Sequence, residues 1–197
     1  MKIYIYGAGG HGKVVWDAMQ KSNLKCKGFI DDQTLNQWMD LPVFASSFLN
    51  DMRDIEIHIA IGNCKSRDQI ANTFQNLKFV SIYHPDAIIS SRAKIEIGTF
   101  LAAGSIIGPD AVVGKHCIVN HHAVIDHDCS VGDFCHIAPH VSLCGGVEVG
   151  QGVLIGAGAV VLPGIKIADY ATVGAGSIVT NDIASSVTVV GSPARAI

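Results

Sequence analysis

Aliphatic residues recur every six positions through the second half of the chain. The sixteen positions of this register are Ile89, Ile95, Leu101, Ile107, Val113, Val119, Ile125, Val131, Ile137, Leu143, Val149, Ile155, Val161, Ile167, Val173 and Val179. The residue two places before each is small or β-branched in nearly every hexad, as at Ala111 and Cys117. Residues two apart on a strand share a face, so each hexad offers one large and one small inward side chain. This period predicts a parallel β-solenoid whose stacked coils share one core.

The first part of the chain has a different pattern. Apolar runs at 3–6, 26–30, 55–61 and 79–83 predict strands, whereas residues 13–21 and 66–75 predict helices. Strands that alternate with helices indicate a small parallel α/β domain. We therefore expect a Rossmann-like half-domain at 1–84, a β-helix at 85–183 and a C-terminal tail at 184–197.

A glycine-rich turn joins the first predicted strand to the first predicted helix. Gly7, Gly9 and Gly12 fit the pattern G-x-G-x-x-G, and Asp31 follows nineteen residues after the last of them. Amides at a helix N-terminus suit a diphosphate, and the acid suits a ribose or base. Alternatively, the glycines only make a tight turn and Asp31 and Asp32 only end a strand. One mononucleotide-binding half suits a nucleotide sugar better than NAD.

Composition excludes several classes of protein. The 197 residues are 49% hydrophobic, 16% charged and only 7% aromatic, which is too apolar for disorder. A net charge of -3 gives no support to nucleic-acid binding. The longest uncharged stretch, 149–165, contains five glycines and a proline, so we expect no membrane insertion. The chain start lacks the apolar segment of a signal peptide, which predicts a cytoplasmic protein.

The whole chain resembles the bacterial sugar O-acyltransferase family, which includes sialic-acid O-acetyltransferases and the N-acetyltransferases of UDP-bacillosamine biosynthesis. The resemblance rests on GAGGHGK at 7–13, FIDD at 29–32, IGN at 61–63, IDHDC at 125–129 and GSPAR at 191–195. It implies the left-handed β-helix of the hexapeptide acyltransferases and a homotrimer with active sites between neighbouring β-helices. It also implies transfer of an acetyl group from acetyl-CoA to a sugar amine or hydroxyl; we expect no metal.

His127 is the candidate general base. A sugar amine must lose a proton as it attacks a thioester, and His is the usual base near neutrality. His127 follows Ile125 by two places, which puts it at a coil corner between Asp126 and Asp128. A carboxylate bonded to its ring would raise its basicity and fix its tautomer. By resemblance, His127 is the base and Asp128 the supporting acid, where the bacillosamine branch commonly has Glu; alternatively, His127 is only a solvated corner residue.

The resemblance assigns further residues to the two substrates. On the nucleotide-sugar side it implies Gly9, Gly10, His11, Asp31, Asp32, Gly62, Asn63 and Asn120. On the acetyl-CoA side it implies His136, near the thioester, with Gly145, Ala157 and Ala175 at corners where the donor is held mostly through backbone atoms. Two residues stay open: Arg195 either contacts a CoA phosphate or is a solvated tail residue, and outward-facing Cys144 would permit an acetyl-cysteine route, although direct transfer is preferred.

These observations predict an acetyl-CoA-dependent N-acetyltransferase acting on a UDP-linked 4-amino-4,6-dideoxy sugar. O-acetylation of sialic acid or another sugar hydroxyl is the alternative. A more distant alternative is a zinc carbonic-anhydrase-like hydratase, because His116 with His121, and His122 with His127, have the H-x4-H spacing of two ligands. The third ligand expected upstream is missing. A non-catalytic scaffold that binds nucleotide sugars is a further possibility.

Overall fold

The computed structural model describes residues 2–33, 36–50, 52 and 54–197. The N-terminal elements are β1 (Ile3–Tyr6), α1 (Gly10–Lys21), β2 (Cys26–Ile30), β3 (Gln37–Trp38), β4 (Leu41–Phe44), a 3-10 helix (Ser46–Asn50), β5 (Glu56–Ile59), α2 (Cys64–Thr73) and β6 (Lys78–Phe79). They form one sheet in the order β3-β4-β2-β1-β5-β6, parallel except for the β3–β4 hairpin. The predicted α/β region is confirmed.

Both helices begin earlier than the sequence predicts. The second helix starts at Cys64 because the side chain of Asn63 accepts the backbone N–H of Ser66 at 2.9 Å and caps it. The predicted strand at 79–83 is two strands. Lys78 pairs with Glu56 in the first sheet, whereas Ile82 pairs with Phe100 in the solenoid. Neither helix, nor any other within the described ranges, is long and apolar enough to cross a membrane.

The solenoid consists of very short strands. They are β7 (Ile82–Tyr83), β8 (Ile88–Ile89), β9 (Lys94–Ile95), β10 (Phe100–Leu101), β11 (Ile106–Ile107), β12 (Val112–Val113), β13 (Ile118–Val119), β14 (Val124–Ile125), β15 (Ser130–Val131), β16 (His136–Ile137), β17 (Ser142–Leu143), β18 (Glu148–Val149), β19 (Leu154–Ile155), β20 (Val160–Val161), β21 (Lys166–Ile167), β22 (Thr172–Val173), β23 (Ile178–Val179) and β24 (Thr188–Val190). A last strand, β25 (Arg195–Ala196), runs antiparallel to β24. The predicted hexapeptide solenoid is confirmed.

Three parallel sheets form the three faces of the solenoid. The first face contains β7, β10, β13, β16, β19, β22 and β24; the second contains β8, β11, β14, β17, β20 and β23; the third contains β9, β12, β15, β18 and β21. Partners on successive coils are eighteen residues apart, as for Ile107 with Ile125 and Ile125 with Leu143. These aliphatic side chains point inward and are fully buried in one continuous core.

Most corners between faces contain one residue with a positive φ. From 98 to 176 these residues recur every six positions: Gly98, Gly104, Asp110, His116, His122, Asp128, Phe134, His140, Gly146, Gly152, Gly158, Gly164, Tyr170 and Gly176. Glycine and short polar residues tolerate this left-handed conformation, whereas β-branched residues do not. The hexad therefore has a backbone requirement at its corners as well as a side-chain requirement in its core.

The N-terminal region packs against the first face of the solenoid. The outward residues Ile82, Phe100 and Ile118 of that face are buried in one cluster with Val15 and Met19 of α1. Outward positions of a solenoid face are ordinarily solvated, so this apolar column marks the docking surface of the N-terminal region. The docking fixes the glycine-rich turn beside the first face.

Candidate active site

His127 and Asp128 form an exposed pair at the corner between the second and third faces. They lie in the turn between β14 and β15, with side chains 59% and 67% exposed. His127 Nδ1 lies 2.8 Å from Asp128 Oδ2. An ionised carboxylate only accepts hydrogen bonds, so Nδ1 carries the proton and Nε2 keeps a free lone pair. This bond, together with the charge of Asp126, raises the pKa of His127.

Gly145 occupies the same corner one coil further along. A Cβ built on Gly145 would lie 2.5 Å from both Cε1 and Nε2 of His127. Real Cβ atoms essentially never approach so closely, so the missing side chain leaves space for the imidazole ring. Among the described residues, no hydrogen bond uses the backbone N–H of Gly145. That N–H is a free donor beside the candidate base.

The glycine-rich turn combines two structural glycines with two open ones. Gly7 has φ +116°, and a Cβ on Gly12 would lie 2.1 Å from the carbonyl oxygen of Gly7. Neither position accepts a side chain. A Cβ on Gly9 or Gly10 would meet nothing within 4 Å. The backbone at these two residues, at the N-terminus of α1, is therefore open to an incoming group.

Asp31 and Asp32 both hold backbone amides. Asp31 Oδ2 accepts the N–H of Ala8 at 2.8 Å, which ties the end of β2 to the glycine-rich turn. Asp32 Oδ1 accepts the N–H of Ser46 at 2.8 Å. Both aspartates therefore stabilise the backbone at the end of β2. A carboxylate has about four lone-pair sites, so each retains capacity to accept further hydrogen bonds.

Four predicted site residues meet at the junction of the N-terminal region and the first face. His136 donates from Nδ1 to the carbonyl oxygen of Gly62 at 3.1 Å, and its Nε2 lies 3.4 Å from Asn120 Nδ2. The ring of His11 lies 6.4 Å from that of His136 and edge-on to Phe100. Burial lowers the pKa of His136 and, with help from neighbouring histidines, that of His11 to about 3. Both rings are therefore neutral near pH 7, and His11 offers a phosphate no positive charge.

The remaining predicted donor residues lie at the corner between the first and second faces. Ala157 and Ala175 stack there on successive coils, and the carbonyl of Ala157 accepts the N–H of Gly176 at 2.8 Å. Gly145 lies across the second face from them, with His127. Within one chain, the structure therefore separates His127 and Gly145 from the group around His136.

The second face lies between these two corners and is the most apolar free surface of the solenoid. Its outward residues are Ile88, Ile106, Val124, Ser142, Val160 and Ile178. The third face instead presents Lys94, Val112, Ser130, Glu148 and Lys166. Since exposed apolar stripes mark interaction sites, the second face is the candidate interface.

Sequence reasoning missed one buried charge close to this site. Arg67, in the first turn of α2, is only 1% exposed and bonds to both regions of the chain. No motif signals it, because an arginine early in a short helix is ordinarily solvated. Cysteines at 117, 129 and 135 are buried as the hexad predicts. In the part of the chain that the structure describes, no group of three or more potential ligands is arranged to hold a metal ion.

Comparisons with known proteins bear on both regions. The family profile described as the PglD N-terminal domain matches residues 2–74, and the profile for the bacterial transferase hexapeptide (six repeats) matches 128–163 and 146–181. The acetyltransferase domain of PglB from Neisseria gonorrhoeae FA1090, solved with acetyl coenzyme A, is 33% identical. It superposes with a TM-score of 0.95 over 100% of this chain and 98% of that chain. The chain belongs to the sugar acetyltransferase family.

Two further members of the sugar acetyltransferase family are similar to this chain. A variant of perosamine N-acetyltransferase from Caulobacter crescentus, solved with CoA and GDP-perosamine, is 31% identical with a TM-score of 0.95, covering 100% of this chain and 97% of that chain. UDP-N-acetylbacillosamine N-acetyltransferase of Bacillus subtilis (strain 168) is 38% identical over 110 residues. That match covers 51% of this chain and 51% of the relative, so the alignment spans about half of each.

Proposed function

We propose that the protein is an acetyl-CoA-dependent N-acetyltransferase acting on a UDP-linked 4-amino-4,6-dideoxy sugar. The observation that carries the proposal is the exposed His127–Asp128 pair, whose Nε2 lies against Gly145. The N–H of Gly145 has no hydrogen-bond partner among the described residues. Relatives whose names describe N-acetylation of bacillosamine and perosamine substrates support it. The identity of the nucleotide and of the sugar is the most specific part of the proposal.

The proposed reaction is direct transfer. The neutral sugar amine attacks the thioester carbonyl, the new C–N bond forms, and the C–S bond breaks to release CoA. His127 Nε2 accepts the amine proton and returns it to the leaving sulfur. Asp128 keeps Nδ1 protonated, so that Nε2 is the basic atom throughout. The N–H of Gly145 would donate to the oxygen that becomes negative during attack.

We further propose that the working unit is a homotrimer with composite sites. The glycine-rich turn and His136 lie at the first face, whereas His127 lies at the corner opposite that face. Packing the apolar second face against another copy would bring His127 of one chain towards the His136 region of the next. A repeated interface of this head-to-tail kind closes into a ring.

The same packing provides a path for the donor. Gly145 on one copy and Ala157 and Ala175 on its neighbour would line the two sides of a groove along the solenoid axis. An extended pantetheine arm would run along it, held by backbone groups at corners with small or absent side chains. The adenosine end would then lie towards the C-terminal coils.

The nucleotide sugar would bind at the junction of the N-terminal region and the first face. The open amides at Gly9 and Gly10 suit its diphosphate, and the spare lone pairs of Asp31 and Asp32 suit N–H groups of its base. His11 would act as a neutral hydrogen-bonding group. Gly62, Asn63 and Asn120 lie on the side of this site that faces the solenoid, although the Asn63 side-chain oxygen already caps α2.

A substrate panel tests the proposal. Purified full-length protein with acetyl-CoA is given UDP-, GDP- and dTDP-linked amino sugars, and separately free sialic acid, while CoA thiol release is followed. We expect turnover with a UDP-linked 4-amino sugar and loss of that turnover in His127→Ala. Turnover only with sialic acid would show that the acceptor group is a hydroxyl and not an amine. Tight nucleotide-sugar binding without CoA release would indicate a non-catalytic scaffold.

A further inference from the structure

Arg67 is a buried cation that no carboxylate neutralises among the described residues. Its guanidinium hydrogen-bonds to Cys64 Sγ at 3.8 Å and to five backbone carbonyl oxygens at the junction of the two regions. These are His116 at 2.7 Å from Nε, Ile61 at 2.7 Å and Gly62 at 3.2 Å from Nη1, and Phe134 at 2.7 Å and Cys135 at 3.1 Å from Nη2.

The carbonyls come from two separate parts of the fold. Ile61 and Gly62 belong to the loop between β5 and α2, whereas His116 and Phe134 are corner residues on successive coils of the solenoid. Arg67 therefore spans the junction with one planar group. Burying a charge is costly unless hydrogen bonds replace its water, and here the carbonyl oxygens that replace the water belong to both regions. The planar fork of five N–H groups suits this geometry, and a lysine ammonium does not reproduce it.

The loop that Arg67 holds touches both sides of the proposed acceptor site. The carbonyl of Gly62 accepts from Arg67 and also from His136 Nδ1 at 3.1 Å. On its other side, a Cβ on Gly7 would lie 2.7 Å from Ile61 Cδ1, so the loop abuts the glycine-rich turn. Displacement of this loop would move Gly62 relative to His136. It would also remove the contact between Ile61 and the glycine-rich turn.

The charge of Arg67 acts on the same group of side chains. Burial is the largest cause of the lowered pKa of His136; the bond to Gly62 opposes that shift, and the positive charge of Arg67 adds to it. This charge contributes in the same direction at His11, behind burial and the neighbouring histidines. Arg67 thus favours neutral imidazoles at the junction while it holds the loop in place.

We propose that Arg67 is a positioning residue that sets the affinity for the nucleotide sugar by clamping the Ile61–Gly62 loop to the solenoid. This inference rests on the proposed function. It predicts a larger effect on the nucleotide sugar than on acetyl-CoA, because His136 is the one residue expected on the donor side that bonds to the clamped loop. No hydrogen bond among the described residues links that loop to Gly145, Ala157 or Ala175. A merely structural role would instead lower the amount of folded enzyme without changing either Michaelis constant.

The test compares Arg67→Lys, Arg67→Gln and the wild-type full chain. Arg67→Gln is the second variant because Gln removes the buried charge and keeps an amide donor. We therefore expect Arg67→Gln to fold even if Arg67→Lys does not. We expect the KM for the nucleotide sugar to rise about tenfold or more, and the KM for acetyl-CoA to stay within about twofold. Ile107→Ala is the control: it destabilises the solenoid core and should leave both constants unchanged.

Three results would overturn the inference. They are unchanged KM values in a folded Arg67 variant, an equal rise in both KM values, or failure of both variants to fold, which would assign Arg67 to folding alone. Failure of the proposed function has a different signature, namely wild-type protein that releases no CoA with any acceptor. In that case calorimetric binding of UDP, GDP and dTDP to wild type and variants still decides whether Arg67 controls nucleotide affinity.

Discussion

Gly145 lies against the imidazole of His127, so closely that a Cβ on Gly145 would be 2.5 Å from both Cε1 and Nε2 of the ring. The two residues are eighteen apart and stack at one corner on successive coils. The position of the candidate base therefore depends on the absence of a side chain one coil away. This dependence gives the proposed mechanism a steric test.

Gly145→Ala should displace the His127 ring and lower kcat about 10- to 100-fold, because a base misplaced by about 1 Å transfers protons poorly. The measurement is steady-state CoA release at saturating acceptor and donor. Gly146→Asn is the matched neighbour: Gly146 has φ +69°, which Asn tolerates, and a Cβ there meets nothing within 4 Å. Equal losses of kcat in the two variants would argue against steric control of the base.

Replacement of the base itself separates the direct and covalent routes. His127→Ala should lower kcat by about 10² to 10⁴, which is the range for loss of a general base. Cys144→Ala should leave turnover nearly normal, because direct transfer uses no acetyl-cysteine. The reverse pattern, with Cys144 essential and His127 dispensable, would favour the covalent route. Mass spectrometry of the wild type after incubation with acetyl-CoA alone gives an independent check.

Asp128→Asn should move the acid limb of the pH–rate profile to lower pH. Hydrogen bonding to Asp128 raises the pKa of His127, and the base works only when unprotonated. Without the carboxylate the pKa of His127 falls, so the free base persists to lower pH, while a weaker and misoriented base lowers the plateau rate. Asn suits the site because Asp128 has φ +60°. A profile whose acid limb stays in place would assign that limb to another group.

The sequence predicts the solenoid because its information is repeated. Each hexad repeats the same pair of one large and one small inward side chain, so the register of the core follows from counting. Stacking of residues eighteen apart, with three hexads in each coil, is what the family resemblance implies. The His127–Asp128 pair is predictable for a similar reason, since neighbours in a fixed turn need no long-range packing to meet.

Features that depend on docking could not be predicted in this way. The strand pattern at 79–83 gives no sign that Phe79 and Ile82 pair with different sheets, because both choices satisfy local propensity. The sequence pattern does not predict the hairpin β3–β4, because only one of its two strands is a strongly apolar run. Arg67 is the clearest case: its burial arises only when α2 packs on the corners at 116 and 134, which no local pattern encodes.

The apolar second face should be the contact between copies. Val124→Glu places a charge in that face and should convert the assembly to monomers and lower activity about tenfold or more, since composite sites require neighbours. Val112→Glu introduces the same change on the third face, where Val112 is 39% exposed among charged residues, and should alter neither property. Light scattering after size exclusion, with activity on the same fractions, measures both. A fully active monomer would refute the composite site.

Mixed assemblies test whether His127 and His136 act from different chains. His127→Ala and His136→Ala are each expected to be inactive alone. Coexpressed and purified together through two different tags, they should regain activity, because an interface that pairs His127 of one copy with His136 of its neighbour is intact wherever the two unaltered histidines meet. In every trimer that contains both chains, one of the three sites should be complete, so activity should reach about a third of the wild-type value. If both histidines served one site within a single chain, no mixed assembly would contain a complete site and activity would stay absent.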